Sequence, residues 1–138
     1  RGPWVKQHDV DFVDETRIAI YNNNRFKRSK GTEVIGGNNV MIYDFATDSV
    51  SAPLKDAFAS HEVRTDSEGL FTMFPNGDVF AEESVDGRLI RISNDGSKFW
   101  EYFNRGADGS LYRMNWSRVV PRGEGRRLAE LLSQTNCQ

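Results

Sequence analysis

The sequence runs to 138 residues and 15.7 kDa with 38% hydrophobic residues, enough for one compact unit and too little for two ordinary domains. Eighteen basic against 20 acidic side chains leave a net charge of −2 and a pI near 5.7, which removes the overall field expected of a nucleic-acid binder. No apolar run approaches the roughly 20 residues of a membrane-crossing helix, and a single cysteine, Cys137, excludes an internal disulfide and a Cys-rich metal site.

Arg1 is not an initiator methionine, so the sequence reads as opening inside a longer polypeptide. The first strand is expected over Gln7 to Val13, where apolar Val10 and Phe12 alternate with Asp9 and Asp11. A turn at Asp14-Glu15 leads to a second strand, Arg17 to Tyr21. A polar, basic insertion from Asn22 to Asn39 follows, with glycines at 31, 36 and 37, and then strands over Val40 to Phe45 and Ser49 to Lys55. Its run Arg25, Lys27, Arg28, Lys30 reads as a solvated loop that could attract an anion.

The second half is more regular. Asn76-Gly77, Asp86-Gly87, Asp95-Gly96 and Asp108-Gly109 recur at spacings of 10, 9 and 13 residues. Such pairs tolerate the positive φ of tight hairpin turns, and the runs between them are rich in β-formers. The strands read Leu70 to Phe74, Asp78 to Glu83, Arg88 to Ser93 and Lys98 to Phe103, followed by Ser110 to Trp116. Four consecutive short strands make one propeller blade. The two units begin about 60 residues apart against the ~40 to 50 of an ordinary blade, and the insertion accounts for the excess. From Gly123 to Gln134, Leu128, Leu131 and Leu132 recur at helical spacing and predict a short amphipathic helix packed on a sheet edge or frayed.

The organisation is therefore all-β: a first blade over 1–62 with the basic insertion 22–39, a second blade with a closing strand over 63–121, and a helical tail over 122–138. Two blades cannot close a ring, so the remaining blades are expected from upstream sequence or another chain. A self-contained barrel of eight to ten strands is the rival fold for this length.

Taken alone, His8-Asp9 reads as a structural or exposed pair, and strand alternation sends Asp9 to the face opposite His8. His61 reads as a surface or inter-strand residue, and Trp4, Trp100 and Trp116 as core between blades, with Trp4 close enough to His8 to border an aromatic substrate. Glu82 and Glu83 point to opposite sides of a strand, so one is expected in water. Asp9, Asp11 and Asp14 imitate part of a Ca²⁺ loop but lack its glycine and its closing Glu, and neither a metal site nor a cofactor is expected.

Trp4-Val5-Lys6-Gln7-His8-Asp9, with the hairpin into Ile20-Tyr21-Asn22-Asn23, resembles the segment of bacterial-type aryl sulfotransferases in which Gln-His-Asp opens a strand. Leu111-Tyr112-Arg113, running to Arg118 and Pro121, is similar to that family's closing strand, so the resemblance spans approximately residues 4 to 121. It implies a periplasmic or secreted propeller with its active site in the central channel. There the histidine, here His8, takes the sulfuryl group of an aryl sulfate and passes it to a phenol. Asn23 matches the family's loop Asn, while Asn22 stands in place of Asp, Asn24 in place of Gly, and Arg25 begins a different loop. Asp9, Asn22, Asn23 and Arg25 are thus the secondary candidates, for orienting or binding. The family's other catalytic histidines and arginine would lie upstream, so the chain alone is expected to be inactive. The alternative is a propeller-like binding or assembly module without catalysis.

Overall fold

The computed structural model describes residues 4–135; Arg1 and Cys137, on which two of the expectations above fall, lie outside them. Two four-stranded antiparallel sheets form the body of the chain. The first contains β1 (Gln7–Phe12), β2 (Arg17–Asn22), β5 (Asn39–Asp44) and β6 (Ser49–Ser51), in that spatial order. Between β2 and β5 the chain makes a separate two-stranded ribbon, β3 (Arg25–Arg28) with β4 (Gly31–Val34). A six-residue helix, α1 (Lys55–Ser60), leads to the second sheet of β7 (Leu70–Met73), β8 (Val79–Glu83), β9 (Arg88–Ile92) and β10 (Lys98–Phe103). The chain ends in α2 (Arg122–Ser133). All-β architecture with one helix near the C-terminal end is thus as expected, with α1 added.

The turns follow from their chemistry. Asp14, Asn76, Asp95 and Asp108 each accept, through the side chain, the backbone N–H two residues on, at 2.9–3.2 Å. The glycine after Asn76 or Asp95 then takes a φ of +87°, which a Cβ would resist. Alternation does the rest. On β2 and β5, Ala19, Tyr21, Val40 and Ile42 face inward, while Ile18, Ile20, Met41 and Tyr43 pair across the outer face. The inward set packs on Phe71, Val79, Ala81, Ile90 and Ile92 of the second sheet, with Leu54, Phe58 and Val63 completing one shared core. The sheets therefore lie face to face, and β1 runs beside β7.

Four expectations are corrected. Ser49 to Lys55 is strand only to Ser51, because Leu54 and Phe58 turn into the core as part of the α1 region. The insertion 22–39 is a hairpin with buried roots: Asn24 donates to the Gly37 carbonyl at 2.7 Å, and fully buried Asn38 donates to the Asn23 and Thr65 carbonyls at 2.7 and 3.0 Å. Ser110 to Trp116 is not a strand beyond a single bridge, Arg105 with Leu111, since Asn104 and Ser84 take its backbone groups. The helix falls where the leucines predict, yet Leu128, Leu131 and Leu132 stay exposed and α2 buries no residue.

His61 closes α1 and its Nε2 lies 2.9 Å from the Gly96 carbonyl, tying the helix to the β9–β10 turn. Glu82 and Glu83 do point to opposite sides, but neither reaches water: both are buried and hydrogen-bonded. None of the three tryptophans is buried within this chain.

Candidate functional site

The pairing of β1 with β2 slips by one residue beside the histidine. His8 lies opposite Tyr21 and Val10 opposite Ile20, leaving Asp9 as the extra residue of a β-bulge with φ of +46°. In a regular strand Asp9 would leave the face that His8 occupies. The bulge instead brings both to one open cavity of about 280 Å³, at the end of the seam where the first strands of the two sheets meet. Glu68, Ser84, Asn115 and Trp116 complete its functional lining.

The imidazole of His8 is exposed to this space. The Asp9 carboxylate accepts the Phe71 N–H at 2.9 Å and so staples the first sheet to the second. Partial burial raises its pKa above 3.8; the Phe71 hydrogen bond and the Arg118 charge work against that rise.

The opposite wall is an irregular strap, residues 114–118, fixed to the second sheet. The Met114 N–H donates to the Ser84 carbonyl at 3.0 Å, and the Ser117 N–H donates to Glu82 Oε2 at 2.7 Å. Ser84 Oγ donates to the other oxygen of Glu82 at 2.6 Å. This is how a fully buried carboxylate is satisfied: a donor is brought to each of its oxygens, and the strap supplies one of the two. The Asn115 amide, with its nitrogen toward two acceptors, donates to Glu68 Oε2 at 3.2 Å and to the Met114 carbonyl at 2.8 Å.

Backbone strain gathers here. Asp9, Glu68 and Trp116 all line the cavity in the left-handed region, at φ of +46°, +59° and +66°. Non-glycine residues held in such regions cost on the order of 1–3 kcal/mol each, and they collect at working sites where surrounding contacts impose them.

The remaining candidates lie elsewhere. Asn22 Oδ1 accepts from the Val5 N–H at 3.1 Å, and its nitrogen donates to Asn24 at 2.6 Å. Asn23 is fully buried, donating to the Thr65 and Glu68 carbonyls at 3.2 and 2.8 Å, while its own N–H donates to the Lys6 carbonyl at 3.2 Å. It braces both sides of the cavity mouth without lining it. Arg25 pairs with Asp66 at 3.6 Å and borders a separate basic hollow of about 430 Å³ with Lys6, Lys27, Arg28 and Thr32.

Sequence reasoning missed Glu68, Ser84, Asn115 and Trp116. The last had been assigned to a core, and the others are set beside His8 only by sheet packing. Charge is the unusual feature: among the described residues the lining holds Asp9 and Glu68 and no Lys or Arg. Among the described residues, no cluster of three or more His, Cys, Asp or Glu is arranged to hold a metal ion.

An all-β scaffold of two four-stranded sheets, with an exposed histidine in an open cavity at the seam between them, is what fold and cavity define together. The chain matches the model of the arylsulfotransferase (ASST) family over residues 1–105. It belongs to that family, and membership carries aryl sulfotransferase activity in general, with aryl sulfates and phenols as the corresponding substrate classes. The match ends before the strap, and neither the curated proteins nor the solved structures give a match.

Proposed function

We propose that the chain supplies two adjacent blades of a propeller-type aryl sulfotransferase in which His8 carries the sulfuryl group. The neutral imidazole nitrogen attacks the sulfur of an aryl sulfate, forming an N–S bond as the S–O(aryl) bond breaks and the phenolate leaves with the electron pair. An acceptor phenol then attacks the same sulfur, its proton passing through solvent to the departed phenolate, and the N–S bond breaks to return free imidazole. The observation that carries this reading is the bulge at Asp9, which sets that carboxylate on the same open cavity as the exposed His8.

Charge on the transferred group calls for cationic donors, and among the described residues no Lys or Arg lines the cavity. Most of them are assigned to further blades facing the same channel. Two features support neighbours on both flanks. The outer face of the first sheet has an apolar hollow of about 350 Å³ bordered by Trp4, Ile18, Ile20 and Tyr43. The outer face of the second has one of about 670 Å³ bordered by Phe80, Leu89 and Trp100. A periplasmic or secreted setting is part of the same proposal and rests on the bacterial-type resemblance.

The test uses the intact protein with 4-nitrophenyl sulfate and a phenol. His8→Ala is expected to lower turnover by about a thousandfold or more, as loss of a covalent nucleophile does, and peptide mass mapping of quenched wild-type protein should find one SO₃ group on His8. Unchanged turnover in His8→Ala would remove the residue from the mechanism. The second reading, a non-catalytic binding or assembly module, is favoured by the two carboxylates of the cavity, and it predicts no SO₃ adduct.

A further inference from the structure

We infer that the strap supplies the substrate's binding surface: the Trp116 ring stacks on the aromatic ring of the ligand, and the Arg118 guanidinium meets its sulfate. This rests on the sulfotransferase reading and adds to it two residues beyond the family match, which ends at residue 105.

Trp116 is 70% exposed, although burying a ring of that size is ordinarily among the larger gains a fold can make. It is held outward by force of geometry. Its φ of +66° is strained for any residue with a Cβ, and the strap is pinned on both sides of it, at Met114 to Ser84 and at Ser117 to buried Glu82. A fold that spends a strained residue and a buried carboxylate to keep an indole in a cavity wall has made a flat apolar surface opposite a nucleophile.

The cation comes with it. The Arg118 guanidinium carbon lies over the Trp116 ring, 5.4 Å from its centre, within cation–π range. Among the described residues no Lys or Arg lines the cavity; Arg118 borders the hollow on the outer face of the second sheet, yet its charge is felt by the Asp9 carboxylate, so the strap brings a positive group within electrostatic reach of the cavity. A phenyl sulfate joins one apolar ring to one anion, and the Trp-Arg pair offers the complement of each.

The experiment measures binding by calorimetry in intact protein carrying His8→Ala, where turnover cannot interfere, with phenyl sulfate and phenol as the two probes. Trp116→Ala and Trp116→Gly are expected to weaken both probes by about tenfold, the scale of one ring-stacking contact, and Trp116→Phe to restore most of the loss. Trp116→Gly should melt at or above the temperature of its parent, because glycine relieves the left-handed backbone, so loss of binding there is not loss of fold. Arg118→Gln is expected to weaken phenyl sulfate and leave phenol unchanged. Parental binding by both Trp116→Ala and Trp116→Gly, or equal weakening of both probes by Arg118→Gln, overturns the inference. Absent turnover in the wild-type protein overturns the catalytic proposal instead and leaves these binding results to decide this one.

Discussion

Asp78 accepts from Arg91 Nε and a terminal nitrogen at 3.1 and 2.6 Å and from the Asn94 N–H at 3.1 Å, joining the start of β8 to the end of β9. Chiefly through Arg91, its pKa is held below the ordinary 3.8. A carboxyl with a depressed folded pKa contributes stability that is complete above the unfolded value and lost as the pH falls through the folded one. Asp78→Asn is therefore expected to melt below wild type at pH 7, with the gap closing as the pH drops below 3.8, a trend that thermal unfolding in a pH series checks. At the same scale, His8 is legible because a short motif names it. Asp9 as its cavity neighbour is not, since a bulge exists only relative to a partner strand and alternation alone points the side chain away.

At the scale of elements, the junction between the sheets is held by one close approach. Gly69 sits at φ of +109° before β7, and a Cβ there would lie 2.6 Å from the ring of buried Tyr21, whose hydroxyl donates to Asn38 at 3.0 Å. Gly69→Ala has to displace a fully packed ring, so a loss of about 1–3 kcal/mol is expected in denaturant unfolding. The β-strands of the second sheet were legible because Asn-Gly and Asp-Gly fix a turn through local side-chain hydrogen bonds, independent of everything distant. The last such turn, at Asp108, formed as expected while the strand after it did not: a turn is local, but a strand needs an edge to pair with, and Glu82 and Ser84 hold that segment instead. The helix α1 escaped notice because six residues carry too little periodicity. The β3–β4 ribbon escaped because it carries charge where apolar alternation would have announced it.

For the molecule as a whole, apolar surface is distributed as on a slab cut from something larger. The shared core lies between the sheets, yet Phe99, Tyr102 and Phe103 of β10 remain exposed, Phe99 at 63%, and an apolar hollow lies on each outer face. Monomeric domains seldom leave so much contiguous apolar surface in water. Prepared as the isolated 138-residue polypeptide, the chain is expected to bind a hydrophobic dye and to sediment as more than its 15.7 kDa. The double substitution Phe99→Lys and Tyr102→Lys should reduce both effects, and monomeric sedimentation without dye binding in the unsubstituted chain would refute the two-flank arrangement. The ribbon β3–β4 adds one more property. Asn22 and Asn39 face each other as the last rung of the β2–β5 ladder, although the chain departs after one and returns at the other. The β2–β5 ladder is complete without what hangs from it, so the tip at Ser29 and Lys30 is a place where a label can be grafted without shifting the register of the β2–β5 ladder.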